Sequence, residues 1–170
     1  IGDVAGGPQF THVAGYQGGL VLRPLLFRVP ARENRFIIPR VTYSEPELAQ
    51  VGLTEADAQK KYGRVAVLRW PYSENDRAQA ERQTEGLVKV VAGPRGRVLG
   101  VGIAGANAGE LIGLWALAFS KGLTLKDMAG FVPPYPTMSE IGKRAAISYF
   151  APSARRPSVR RLVRFLRRFG

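Results

Sequence analysis

The sequence predicts an α+β domain, an antiparallel sheet flanked by helices. Three observations carry that expectation. Segments of strand length, rich in Val, Ile and Leu, recur between residues 65 and 105, and a Gly-Pro-Arg-Gly-Arg turn joins the last two as a hairpin. Helical periodicity lies before and after these strands, the arrangement that leaves a sheet covered on one face. The chain has 170 residues, 45% of them hydrophobic and 9% aromatic, enough to bury a real core.

Residues 1–8 form a short apolar strand end followed by a Gly-Gly-Pro loop. "QFTHVAGYQGGLVLRPLLF" (9–27) repeats at helical spacing, with Thr11 as an early cap. Its Gly15, Gly18 and Gly19 cost roughly 1 kcal/mol each against Ala, so close packing is expected there. "RVPARENRF" (28–36) is polar and reads as a linker, and "IIPRVTY" begins a new pattern as a strand. Thr54, Asp57 and Gly63 mark the start and stop of a short helix over 53–63. Strands follow at 65–72, 86–93 and 97–105, then a long apolar helix at 108–122, a shorter one at 124–131 and a last one at 138–149.

Composition excludes several classes. With no cysteine there is no disulfide framework, thiolate metal site or redox thiol in these residues. No apolar run reaches the length of a membrane-spanning helix; the longest, "LIGLWALAF", fits a buried helix. The chain opens "IGDVAGG" without an initiator Met or a signal-peptide layout, and is expected to be a piece of something longer. The net charge is +12, but seven arginines and no acid fall in 151–170, leaving +5 for the first 150 residues. Basicity therefore belongs to a tail, which weakens any nucleic-acid role for the globular part.

Four features could carry chemistry. "GVGIAG" (100–105) fits G-x-G-x-x-G, but its glycines lie inside a strand rather than at a strand-to-helix turn, which favours close backbone packing over dinucleotide binding. His12 is the single histidine, so neither a histidine pair nor a Ser-His-Asp triad is available; alone, it fits a polar surface or cap position. In "SVRRLVRFLRRFG", Val159, Leu162, Val163, Leu166 and Phe169 share one helical face and arginines fill the remainder. That pattern suits an anionic membrane surface or an acidic partner, and equally a helix docked on its own protein. Finally, "PPYPTMSE" (133–140) delivers Tyr135 and Glu140 to one region through a proline elbow. Its local pattern leaves open a packing elbow and a site. Tyr ionises near pH 10, so at neutral pH the phenol donates hydrogen bonds.

Taken together, several stretches resemble the C-terminal part of a flavin-dependent pyridine nucleotide–disulfide oxidoreductase, the family of dihydrolipoamide dehydrogenase, glutathione reductase and mercuric reductase. "IGDVAGGPQFTHVAGYQG" resembles the second flavin-contacting motif, "PRVTYSEPELAQVGLTEADA" the opening of the interface (dimerisation) domain, and "GVGIAGANAGELI" its middle. "YPTMSE" sits where most members carry His-Pro-Thr-x-x-Glu. The resemblance runs in order over about residues 1–150 and implies three regions: 1–36, the end of an FAD-binding domain with its linker; 37–150, a dimerisation domain; and 151–170, a basic amphipathic extension.

The resemblance further implies FAD and NAD(P)H as the parent's cofactor and electron donor, and a C2 homodimer in a cytoplasmic enzyme. Asp3, Gln9, Phe10, Thr11 and His12 would lie against FAD; a helix start stabilises negative charge on the reduced flavin ring. Tyr135 and Glu140 would enter the partner subunit's active site, with Tyr135 where relatives place a proton-shuttling His and Glu140 as the orienting acid, after a cis peptide at Tyr135–Pro136. Mercuric reductases resemble this chain in carrying a Tyr near that position, but end in a cysteine pair where this chain reads "RRFG". The piece alone is expected to be inactive. The rival expectation is a non-enzymatic module that binds anionic membrane, and less readily nucleic acid, through 155–170, with location then shifting to a membrane surface.

Overall fold

The structure, a computed structural model, describes residues 1–154 and 156–169; Arg155 and Gly170 of the basic tail lie outside the described residues. It divides into two compact units, Ile1–Ile38 and one beginning at Pro39.

In the first unit a 3-10 turn at Gly2–Ala5 precedes helix α1, Thr11–Phe27, and a second 3-10 turn spans Arg35–Ile37. Thr11 is the first helical residue rather than the cap; the cap position is Phe10, in extended conformation and without a side-chain hydrogen bond to the helix. Side chains of α1 organise the rest. Gly2 N–H donates to Gln17 Oε1 (2.7 Å), Gln17 Nε2 donates to Glu33 Oε1 (3.0 Å), and Asn34 N–H donates to the Tyr16 hydroxyl (2.9 Å). The expected close packing at the α1 glycines is absent at two of them. A Cβ built on Gly15 or Gly19 would meet no atom within 4 Å.

The second unit holds β1 (Arg40–Thr42), β2 (Leu48–Gly52), α2 (Glu55–Tyr62), β3 (Ala66–Pro71), α3 (Asp76–Glu81), β4 (Gly86–Ala92), β5 (Val98–Gly105), α4 (Ala108–Lys121), α5 (Leu125–Gly130), α6 (Glu140–Ser148), α7 (Ala151–Ala154) and α8 (Pro157–Leu166). The strands form one sheet, in order β1-β2-β5-β4-β3, antiparallel at every junction. The α+β expectation holds. The additions to it include β2 and α3. β2 is only five residues long, and its pattern of Leu, Ala, Gln, Val and Gly carries little β signal; pairing on both sides, with β1 and β5, makes it a strand. The α3 segment is six mostly polar residues, too short to be stable alone. It is held by Asn75, whose Oδ1 accepts the Ala78 N–H at 2.9 Å.

Alternation along the strands sends Ala49, Val51, Val88, Val90, Val101 and Ile103 to one face, where they meet Ile112 and Trp115 of α4 and Ile141 and Ala145 of α6. The opposite face is only partly covered. There α2 packs Ala58 on Val91 and Leu99, and Glu55 at its start ties to Lys89 (2.6 Å) and Arg69 (3.3 Å) across neighbouring strands.

Local rules explain the helix ends. Thr54 Oγ1 accepts the Asp57 N–H at 3.1 Å and Gly63 stops α2 at φ 70°. The start of α4 has a left-handed Asn107 without a side-chain cap. Glu47 supplies the acceptor from the loop before β2, its Oε2 taking the Gly109 N–H at 2.7 Å, where the helix dipole also favours a carboxylate. Two of the three glycines of "GVGIAG" answer to packing, as expected: a Cβ on Gly100 would run into the Leu53 carbonyl, and one on Gly105 into the Tyr72 ring, while one on Gly102 would meet nothing within 4 Å. Tyr72 is fully buried and donates to the Ala106 carbonyl at 2.9 Å; burial pushes its phenol well above the usual range.

Candidate functional site

The segment between α5 and α6 cannot be helical. Pro133, Pro134 and Pro136 remove N–H donors and fix φ, and the Tyr135–Pro136 peptide is cis. Its exit is closed by local hydrogen bonds: Thr137 Oγ1 to the Pro134 carbonyl (2.7 Å), a 2.8 Å hydrogen bond between the Thr137 and Ser139 hydroxyls, and the Ile141 N–H to the Met138 carbonyl (3.1 Å). Met138 and Ile141 are buried. Gly142 then lets α6 lie against the indole of Trp115, where a Cβ would come within 3.2 Å of Nε1.

The elbow is also tied to a distant part of the chain. Asn75, buried at 3% exposure, caps α3 with its oxygen and donates its amide to the Thr137 carbonyl at 3.1 Å. One side chain therefore fixes both the start of α3 and the turn below Tyr135. The next residue, Asp76, accepts the Tyr135 hydroxyl proton at 2.8 Å. Tyr135 is otherwise open, with 70% of its surface exposed. The hydrogen bond to Asp76, then the charge of Asp76, a small loss of solvent and the charge of Glu140 raise the Tyr135 pKa above its ordinary value. The phenol is neutral throughout the physiological range.

Glu140 is the first residue of α6, half-buried, with its carboxylate in the turn where the helix dipole favours it. The phenol's hydrogen bond goes to Asp76 and not to Glu140. Sequence reasoning missed Asp76 and Asn75. Asn75 carried one local signal, an Asn three residues before the N–H it caps; Asp76 lies 59 residues from Tyr135 and carried none.

The remaining expected site residues belong to the first unit. Asp3 lies exposed in the 3-10 turn, Gln9 is exposed before α1, and Thr11 and His12 open that helix. The His12 imidazole stacks on the Phe10 ring at 5.2 Å and 15°. Because no side chain caps α1, its first-turn N–H groups form a positive helix end. Among the described residues no group of three His, Cys, Asp or Glu could hold a metal ion, and no helix is long and apolar enough to cross a membrane.

Residues 38–146 match the family model described as the pyridine nucleotide-disulphide oxidoreductase dimerisation domain. The chain belongs to this family. It is 38% identical over 149 residues to a mercuric reductase of Bacillus cereus, covering 87% of this chain and 24% of that protein. It is 37% identical over 147 residues to a dihydrolipoyl dehydrogenase of Bacillus subtilis, covering 86% of this chain and 31% of the relative. The chain thus spans a quarter to a third of the length of these relatives. In fold it matches LpdA from Mycobacterium tuberculosis with a TM-score of 0.81 at 24% identity, covering 87% of this chain and 32% of that one. It also matches the flavoprotein disulfide reductase RclA of Escherichia coli, solved as a Cu(II) complex, with a TM-score of 0.80 at 25% identity, covering 87% of this chain and 34% of that one. The matched dimerisation-domain segment contains the sheet, the elbow and most of α6, whereas α7 and α8 lie beyond it.

Proposed function

We propose that the chain is the subunit-pairing part of an FAD-dependent NAD(P)H:disulfide oxidoreductase that works as a homodimer, with Tyr135 and Glu140 entering the partner subunit's active site. In this reading 1–36 is the end of the FAD-binding domain and its linker, 37–150 the dimerisation domain and 151–170 an extension, and the parent is expected in the cytoplasm. The observation that carries the site is the elbow itself. A phenol stands exposed on a proline frame, its hydroxyl already held by a carboxylate at 2.8 Å. Tyr72, by contrast, buries its ring in the core.

The raised pKa argues against phenolate as a base at neutral pH. A neutral phenol acts by hydrogen bonding. Bound to Asp76, it points its proton at the carboxylate and leaves its oxygen lone pairs to accept. A thiolate generated in the partner's site would compete with Asp76 for that proton, and Tyr135 would then stabilise the developing sulfur charge as a donor.

The residues proposed to hold FAD fit an electron-rich ring: α1 opens there with its positive end and no side-chain cap, and Asp3, Gln9, Thr11 and His12 are exposed around it. FAD, when bound, would take the hydride from NAD(P)H and relay electrons to a disulfide. Exposed Leu22, Leu25, Leu26 and Phe27 along α1 support its being part of a larger body.

In the full-length parent, Tyr135→Phe is expected to slow the disulfide-side half-reaction about tenfold or more while flavin reduction by NAD(P)H stays near wild type. Rapid-mixing absorbance of the flavin separates the two. Equal slowing of both halves would make Tyr135 structural.

A further inference from the structure

The basic tail departs from the rest of the molecule. Helix α8 begins with Pro157 at its first position, as helices favour, and runs to Leu166 with none of its side chains buried. Exposure rises from 36% at Val159 to 75% at Phe169 and lies between these at Leu162, Val163, Phe165 and Leu166. A helix docked on its own domain would hide that stripe, and this one does not. At 3.6 residues per turn Val159, Leu162, Val163, Phe165 and Leu166 share an arc of roughly 160°, and Arg160, Arg161 and Arg164 fill the opposite arc. Phe165 and Phe169 stack edge to face at 5.1 Å on the apolar side. Among the described residues, no arginine from 156 onward joins an ion pair.

We infer that α8 is a membrane-surface anchor that lies flat on an anionic lipid bilayer, its apolar arc at the acyl boundary and its arginines on the lipid phosphates. The inference goes beyond the proposed function and does not depend on it. Two complementarities select this occupant. Residues 151–170 carry seven arginines and no acid, so the partner must be anionic. The apolar arc is exposed as well, so the partner must also offer apolar depth directly beside its charge, which an anionic lipid interface does along a whole helix face. A second copy of the tail would cover the stripe but set like charges together. Nucleic acid would neutralise the arginines and leave the stripe in water; base stacking needs aromatics on the basic side, and both phenylalanines are on the other. Arginine suits the lipid role because its stem covers apolar surface while the guanidinium reaches a phosphate.

The test is co-sedimentation of the 170-residue chain with phosphatidylcholine vesicles with and without phosphatidylglycerol, at physiological ionic strength. Binding to the anionic vesicles about tenfold or more tighter than to neutral ones, weakening as salt rises, is expected. A chain ending at residue 150 should stay in the supernatant. Leu162→Asn with Phe165→Asn keeps every arginine, leaves the folded domain untouched and should lose at least most of that binding. Each of three results would overturn the inference: no preference for anionic vesicles, full retention by the double variant, or tighter binding to a single-stranded oligonucleotide or to polyglutamate than to the vesicles. Should the truncated chain fail to fold, the double variant still decides.

Discussion

Tyr135 and Asp76 form the smallest unit with a checkable property. A phenol whose pKa is raised is stabilised in its protonated form by the fold. That contribution is present in full below its ordinary value of 10.0 and is lost as pH rises through the raised value. Asp76→Asn removes the carboxylate that heads the causes of the shift. Its expected outcome is a phenolate absorbance transition at Tyr135 that moves back toward 10.0, assigned by its disappearance in Tyr135→Phe. An unmoved transition would mean that the 2.8 Å contact does not persist in solution. Proximity to Asp76 could not be read along the chain, because the two residues meet only when α3 and the elbow are brought together by Asn75.

At the level of elements, β5 shows how one motif can mean two things. Gly100 and Gly102 are two residues apart in "GVGIAG" and share the sheet's open face, where a G-x-G-x-x-G reader would treat them alike. Yet a Cβ at Gly100 meets the Leu53 carbonyl, and at Gly102 it meets nothing within 4 Å. Gly100→Ala should therefore cost about 3 kcal/mol, whereas Gly102→Ala should be near neutral, in chemical denaturation of the isolated chain. Equal costs would remove the packing explanation. Helix limits were legible for the same local reason that caps work: Thr54 with Asp57, and Gly63 at φ 70°, act within a few residues. The α4 start at Ala108 was legible from its periodicity, but its acceptor was not, since Glu47 arrives from 62 residues away.

For the whole molecule, a family defined by its dimerisation domain and a sheet with one half-open face make self-association the property to measure. Light scattering on a sizing column should give twice the chain mass at high micromolar concentration. A strict monomer there would mean that segments beyond this chain are needed for pairing, and would count against a self-sufficient dimer domain. What the sequence by itself determined is whatever a few neighbouring residues decide: the α+β class, the strand and helix segments with strong periodicity, the proline elbow and the two-sided tail. Only the tertiary structure decided that β2 is a strand between β1 and β5, that the phenol answers to Asp76, and that α8 stands clear of its own core. Each of these depends on groups tens of residues apart, whose meeting reflects chain packing and leaves no periodic trace in the order of the amino acids.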